Sequence, residues 1–193
     1  MTPEPTPSQT VGPFFHFALL KEDQSELVAP VHPSAIRIEG TVYDGAGEVV
    51  PDAMLEIWQA NRAGRYAPLA DDRQDPPLED ATLEDDFSGF GRFGTDAEGR
   101  YGFVTVKPGP VPSPDGRPQA PHVWVAVYAR GLLKRLVTRV YFPDEEAANA
   151  ADPVLVSMED PAMRSTLVAR EVDGALEFDI HLQGDKQTAF FDV

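Results

Sequence analysis

Alternation with a period of two is the feature that most constrains this chain. From residue 36 onward Ile36, Ile38, Gly40 and Val42 point one way, while Arg37, Glu39, Thr41 and Tyr43 point the other. That is the pattern of a strand with one buried face. The same reading predicts strands over residues 53–60, 100–106, 122–130, 134–142, 165–171 and 175–182, with Asp44-Gly45-Ala46-Gly47 as a turn between the first two. Fifteen Gly and 19 Pro break the chain too often for long helices. One short helix is expected over residues 144–151, where acids in the first turn oppose the helix dipole and Pro153 ends it. Residues 61–98 read as a turn followed by a long irregular loop, acidic over 71–86. There is no βαβ alternation and no repeat. The expected fold is all-β, an antiparallel β-sandwich forming a single domain over residues 1–193: an extended arm over 1–35, then the sandwich over 36–193.

Charge and composition exclude several functions. Thirty-two acidic against 16 basic residues leave a formal charge of −16, which repels phosphate backbones and anionic lipid, so neither nucleic acid nor a membrane is an expected partner. With no Cys, disulfides, thiolate metal sites and a cysteine nucleophile are out of reach. Residues 1–13 lack the basic start and apolar core of a signal peptide, and the longest apolar stretch, 14–20, is short and interrupted by His16. A cytoplasmic location is expected. Phe14, Phe15 and Phe17 sit in a Pro-broken arm, and three aromatics there need a cover.

The residues alone point only faintly to chemistry. The four histidines, His16, His32, His122 and His181, are not spaced to share a metal. The acidic run 71–86 lacks EF-hand spacing and reads as a solvated loop. His122 and Trp124 share one face of a strand whose other face carries Val123, Val125 and Val127; His122 alone reads as a buried histidine bonded to backbone. Arg130, Lys134, Arg135 and Arg139 form the one basic cluster in an acidic chain. They are read equally well as ordinary hairpin solubility or as an anion site, where a guanidinium grips a carboxylate with two bonds.

Several segments taken together resemble the intradiol ring-cleavage dioxygenases. They are Pro7-Ser8-Gln9-Thr10-Val11-Gly12-Pro13-Phe14, Gly40-Thr41-Val42-Tyr43-Asp44-Gly45 and Leu55-Glu56-Ile57-Trp58-Gln59-Ala60, then Phe90-Gly91-Arg92, Thr105-Val106-Lys107-Pro108-Gly109-Pro110 and Ala120-Pro121-His122. Leu136-Val137-Thr138-Arg139-Val140-Tyr141-Phe142 and Phe190-Phe191-Asp192 complete a match that runs in order along nearly the whole chain. Catalytic chains of that family hold a high-spin ferric ion with two Tyr and two His. Carried over by position, one Tyr falls on Val111, the His pair on His122 and Trp124, and the other Tyr in the loop before Phe87, where no Tyr occurs between Tyr66 and Tyr101. An Arg three residues before the His pair appears as Gln119. Valine has no donor atom and indole N–H has no lone pair to offer.

The resemblance therefore implies an iron-free chain with no catalytic residue and no metal of its own, whose Fe(III) is held by a homologous beta subunit in an alpha–beta hetero-oligomer. It further implies that Thr10, Gly12, Pro13, Phe14 and Arg130 contribute to the partner's pocket for a small aromatic acid cleaved by O2 in aromatic-compound catabolism. Phe14 stands where such chains often carry Tyr, so a hydroxyl contact is lost. Two alternatives stay open: a homomeric dioxygenase with a metal site rebuilt from His16, His32 or the acidic loop, and a β-sandwich interaction module without catalysis.

Overall fold

The computed structural model describes residues 10–12, 18–21, 24–67 and 87–192. Pro13, Phe14, His16 and the acidic stretch 71–86 lie outside the described residues. The first eight strands are β1 (Ala35–Tyr43), β2 (Met54–Trp58), β3 (Phe90–Gly94), β4 (Arg100–Val106), β5 (Val111–Pro112), β6 (Pro118–Gln119), β7 (His122–Tyr128) and β8 (Leu136–Tyr141). Three helices follow, α1 (Glu146–Ala151), α2 (Pro153–Ser157) and α3 (Pro161–Ser165), then β9 (Arg170–Val172), β10 (Ala175–Glu177) and β11 (Ile180–His181).

Two sheets face each other. In the first, β1 pairs antiparallel with β4 on one edge and parallel with β10 and β11 on the other, with β9 outside β10. The second is antiparallel throughout, in the order β3-β2-β7-β8. The period-two pattern decides which side chains meet: Ile38, Val42, Tyr101 and Phe103 from the first sheet close on Leu55, Ile57, Val123, Val125, Val127 and Val140 from the second. Burying one such side chain is worth roughly 1.5–3 kcal/mol, so a one-residue slip of β7, which would turn Val123, Val125 and Val127 to the outer face, is prohibitive. That register presents His122, Trp124, Ala126 and Tyr128 on the outer face, in line with Tyr141, Arg139 and Val137 of β8 and with Trp58 and Glu56 of β2.

The β-sandwich stands, with four local differences. The first sheet is mixed, because the chain returns along β1 after the helices and runs in the same direction. Residues 90–94, read from sequence as part of a loop, form β3; the Gly-rich Phe90-Gly91-Arg92-Phe93-Gly94 has little β-propensity, but a Cβ on Gly91 would come 2.5 Å from Leu27 Cδ1 and 3.1 Å from Gln24 O, so the glycine suits close packing that a larger residue would have to push aside. Over residues 146–165 three short helices replace the expected one. Pro153 does not merely end a helix; it opens α2 behind the N-cap Asp152, and Pro161 opens α3 behind Asp160 in the same way. α3 thereby takes the start of the segment read as a strand over 165–171, leaving β9. The strand expected over 175–182 is interrupted between β10 and β11, where the Asp179 carboxylate takes the ladder bond from Thr41 N at 3.0 Å.

Candidate functional site

The outer face of β7 and β8 carries the positions at issue. The run Lys107-Pro108-Gly109-Pro110 is seated against the 61–65 turn, whose Asn61 side chain accepts from Ala63 N and Arg65 N. A Cβ on Gly109 would meet Arg62 O at 2.4 Å, so only glycine allows this seating. Val111 follows at once, buried and paired with Gln119 across the β5–β6 hairpin. Gln119 leads into Ala120, and two residues later His122 begins β7.

His122 is 4% exposed, and its Nδ1 lies 2.7 Å from Ala120 O, a carbonyl that can only accept. Burial first, and the nearby Arg139 charge second, push its pKa down to about 4, so it is a neutral imidazole at ordinary pH. The sequence reading of His122 as a buried histidine bonded to backbone holds. Trp124 is half-buried, and Arg139, directly across the ladder, stacks its guanidinium carbon 4.6 Å from the indole centroid.

Arg139 in turn organises a buried polar chain. Its Nη1 donates to Gln119 Oε1 at 2.8 Å and to the Tyr141 hydroxyl oxygen at 3.1 Å, and Tyr141 O–H donates to Asp152 Oδ1 at 3.3 Å. Asp152 is fully buried; it accepts from Val154 N and Leu155 N as the cap of α2, and its Oδ2 accepts from Ala120 N at 2.8 Å. Burial raises the Tyr141 phenol well above its usual range, which keeps it a neutral donor. Asp152 and Tyr141 were not singled out from sequence. The Asp-Pro step at 152–153 signals an N-cap, but no local signal points to a partner 32 residues away.

These residues do not fit a ferric ion. Val111 has no donor, Trp124 offers none and a guanidinium lies over the Trp124 position; His122, its Nδ1 bonded to Ala120 O, keeps a single donor in Nε2, and one donor does not hold a ferric ion. His32, an alternative ligand, uses its Nδ1 to accept from Ser34 N within a turn. Among the described residues no group of three or more His, Asp or Glu side chains could hold a metal.

The open end of the same ladder is different. Arg130 follows β7 with a side chain 71% exposed, its Nε 3.2 Å from Asp52 Oδ2. Gly131 N donates to Thr10 Oγ1 at 3.0 Å, so the fold brings Thr10 of the arm beside the Arg130 turn. Gly12 is exposed nearby in sequence, whereas Pro13 and Phe14 lie outside the described residues. The basic cluster is thus split: Arg130, Lys134 and Arg135 are exposed at the hairpin, Lys134 pairing with Asp192, while Arg139 is buried at the other end.

Between the two ends a groove of about 280 Å³ is lined by Trp58, Phe90, Trp124, Tyr128 and Arg135 above the Glu56–Arg92 ion pair. No helix among the described residues is long and apolar enough to cross a membrane.

Comparison with known proteins gives the family. The family model described as Dioxygenase matches residues 12–184. The chain is 43% identical, over 97% of its length and 96% of the relative's, to the protocatechuate 3,4-dioxygenase alpha chain of Pseudomonas putida. It is 39% identical, over 79% of its length and 66% of the relative's, to the protocatechuate 3,4-dioxygenase beta chain of Burkholderia cepacia. Among solved structures, the dioxygenase domain of a dioxygenase–carbohydrate-binding fusion from Streptomyces sp. SirexAA-E superposes with a TM-score of 0.55 at 25% identity, covering 94% of this chain and 99% of that one. The chain belongs to the intradiol ring-cleavage dioxygenase family, which uses non-haem Fe(III).

Proposed function

We propose that this chain is the iron-free alpha subunit of a protocatechuate 3,4-dioxygenase, one domain over residues 1–193 that works in the cytoplasm with an iron-bearing beta subunit. The assembly takes 3,4-dihydroxybenzoate and O2 to 3-carboxy-cis,cis-muconate, both oxygen atoms entering the product. The observation that carries the reading is the lost ligand face: a buried Val111 and a Trp124 stacked under a guanidinium stand at two of the four positions the family uses for iron, no Tyr stands at a third, and His122 alone remains. The ferric ion, when bound in the partner, orients and activates the catechol.

This chain's own task is the pocket wall. Thr10, Gly12, Pro13, Phe14 and Arg130 supply it, and Arg130 supplies charge. A guanidinium that is largely exposed and bonded to its own chain through one long contact is available to fork onto a carboxylate with two hydrogen bonds. In a chain of charge −16 such a local cation is what an anionic substrate needs.

Co-expression with and without the beta subunit tests the reading. Iron and ring-cleavage activity are expected only in the complex, and stoichiometric iron on this chain alone, with turnover, overturns it.

A further inference from the structure

Arg139 is buried in a way that ordinary packing does not explain. It is 8% exposed, its guanidinium carbon lies 4.6 Å from the Trp124 ring centroid and 5.6 Å from that of Phe191, and its Nε is buried with no acceptor. It makes no ion pair with a carboxylate among the described residues; its charge reaches Asp152 only through the Tyr141 hydroxyl. A buried cation compensated so sparingly is costly to keep.

We infer that Arg139 has taken a metal ion's place on this face, tying together the segments a metal would tie and barring other cations from the Val111, His122 and Trp124 positions by its fixed charge. The inference rests on reading those three as former ligand positions. Arg139 sits on β8 and holds Gln119, which is paired with Val111; through Tyr141 it reaches Asp152, which holds Ala120 just ahead of His122. A metal site joins segments in the same manner and contributes its binding energy to folding. A guanidinium does so with N–H donors and needs no Lewis base, and an indole that cannot ligate is a good face for a cation. Trp124 and Arg139 are on this view two halves of one exchange, and lost ligands are not the only barrier to iron.

The test uses the separately expressed full chain and Co2+ as the probe, followed by visible absorption and metal analysis. Trp124→His provides a second imidazole two positions from His122. Wild type, Trp124→His and Trp124→His/Arg139→Lys are expected to bind no stoichiometric Co2+, whereas Trp124→His/Arg139→Gln binds at least about tenfold more tightly than Trp124→His, a difference of about 1.4 kcal/mol. Arg139→Gln alone is expected to lower Tm by about 5 °C or more, failure to fold being the far end of that loss, while Arg170→Gln at an exposed pair leaves Tm in place. Equal Co2+ behaviour of Trp124→His with and without Arg139→Gln, or an unchanged Tm for Arg139→Gln, overturns the inference. Stoichiometric Co2+ on the wild-type chain would overturn instead the iron-free reading beneath it.

Discussion

The two ends of the β7–β8 ladder carry the same residue types and put them to opposite uses. At one end Arg139 is stacked on Trp124, bonded to Gln119 and Tyr141 and linked to a fully buried Asp152. At the other, Arg130 is largely in solvent, held by one long contact to Asp52, with Leu133 65% exposed beside it. The difference is one of enclosure: a guanidinium buried among its own chain's groups is committed to the fold even with its Nε unmet, and one left loosely paired in solvent at a turn is available to a ligand. Buried bonds to charged groups are worth about 1.5–3 kcal/mol each, whereas exposed pairs are worth about 0–1 kcal/mol. The polar groups at the His122 end therefore serve structure, and those at the Arg130 end are the ones we propose for recognition.

The sharpest way to break that contrast is Asp152→Ala. It strips the acceptor from three backbone N–H groups, two of them buried, and from Tyr141, and the expected loss is about 3–5 kcal/mol in a denaturant titration. A loss below about 1 kcal/mol would mean the buried end is no more committed than the open one.

Next comes pH. The His122 pKa is depressed in the folded state to about 4 against an ordinary 6.5, so between those values the unfolded chain binds the extra proton. His122 thus contributes stability that is fully present above about pH 6.5 and lost as pH falls toward 4, about 3 kcal/mol in all. The wild-type stability curve should drop more steeply over that window than the curve of His122→Gln; parallel curves would show that His122 titrates freely.

Arg130→Ala should weaken protocatechuate binding by the complex by about 1.5–3 kcal/mol, read from KM or a direct titration. Its cost to the stability of this chain should stay within about 1 kcal/mol. An unchanged KM would remove the recognition half of the comparison. Smallest of all, Leu133→Ala should change stability by no more than about 0.5 kcal/mol by thermal unfolding, since its side chain is largely exposed. A larger loss would place the hairpin tip in the core after all.

Most of the scaffold was legible in order of residues. Residues 122–128 alternate without a break, and so β7 and its faces follow from the pattern. The neighbouring β3 was not legible, because Phe90-Gly91-Arg92-Phe93-Gly94 is a strand only with β2 beside it and Leu27 pressed against Gly91. The helices α2 and α3 were missed since five residues carry no measurable period, though an Asp-Pro step opens each one. Arg139 grouped naturally with Arg130, Lys134 and Arg135; yet at about 3.4 Å per residue it lies about 14 Å farther along the strand than Arg135, at the buried end.

Some properties of this protein belong to its covalent formula. A valine at 111 and an indole at 124 have no lone pair to give in any fold, and alternation from Ile36 onward buries one face of a strand whatever it pairs with. Which charge is spent inside and which is offered outside belonged to the tertiary structure alone. Arg139 meets Trp124 only through the β7–β8 register, and Asp152 meets Ala120 across 32 residues. Burial and satisfaction are properties of neighbours in space, and the desolvation that makes a cation structural or available is set by those neighbours rather than by the residue itself.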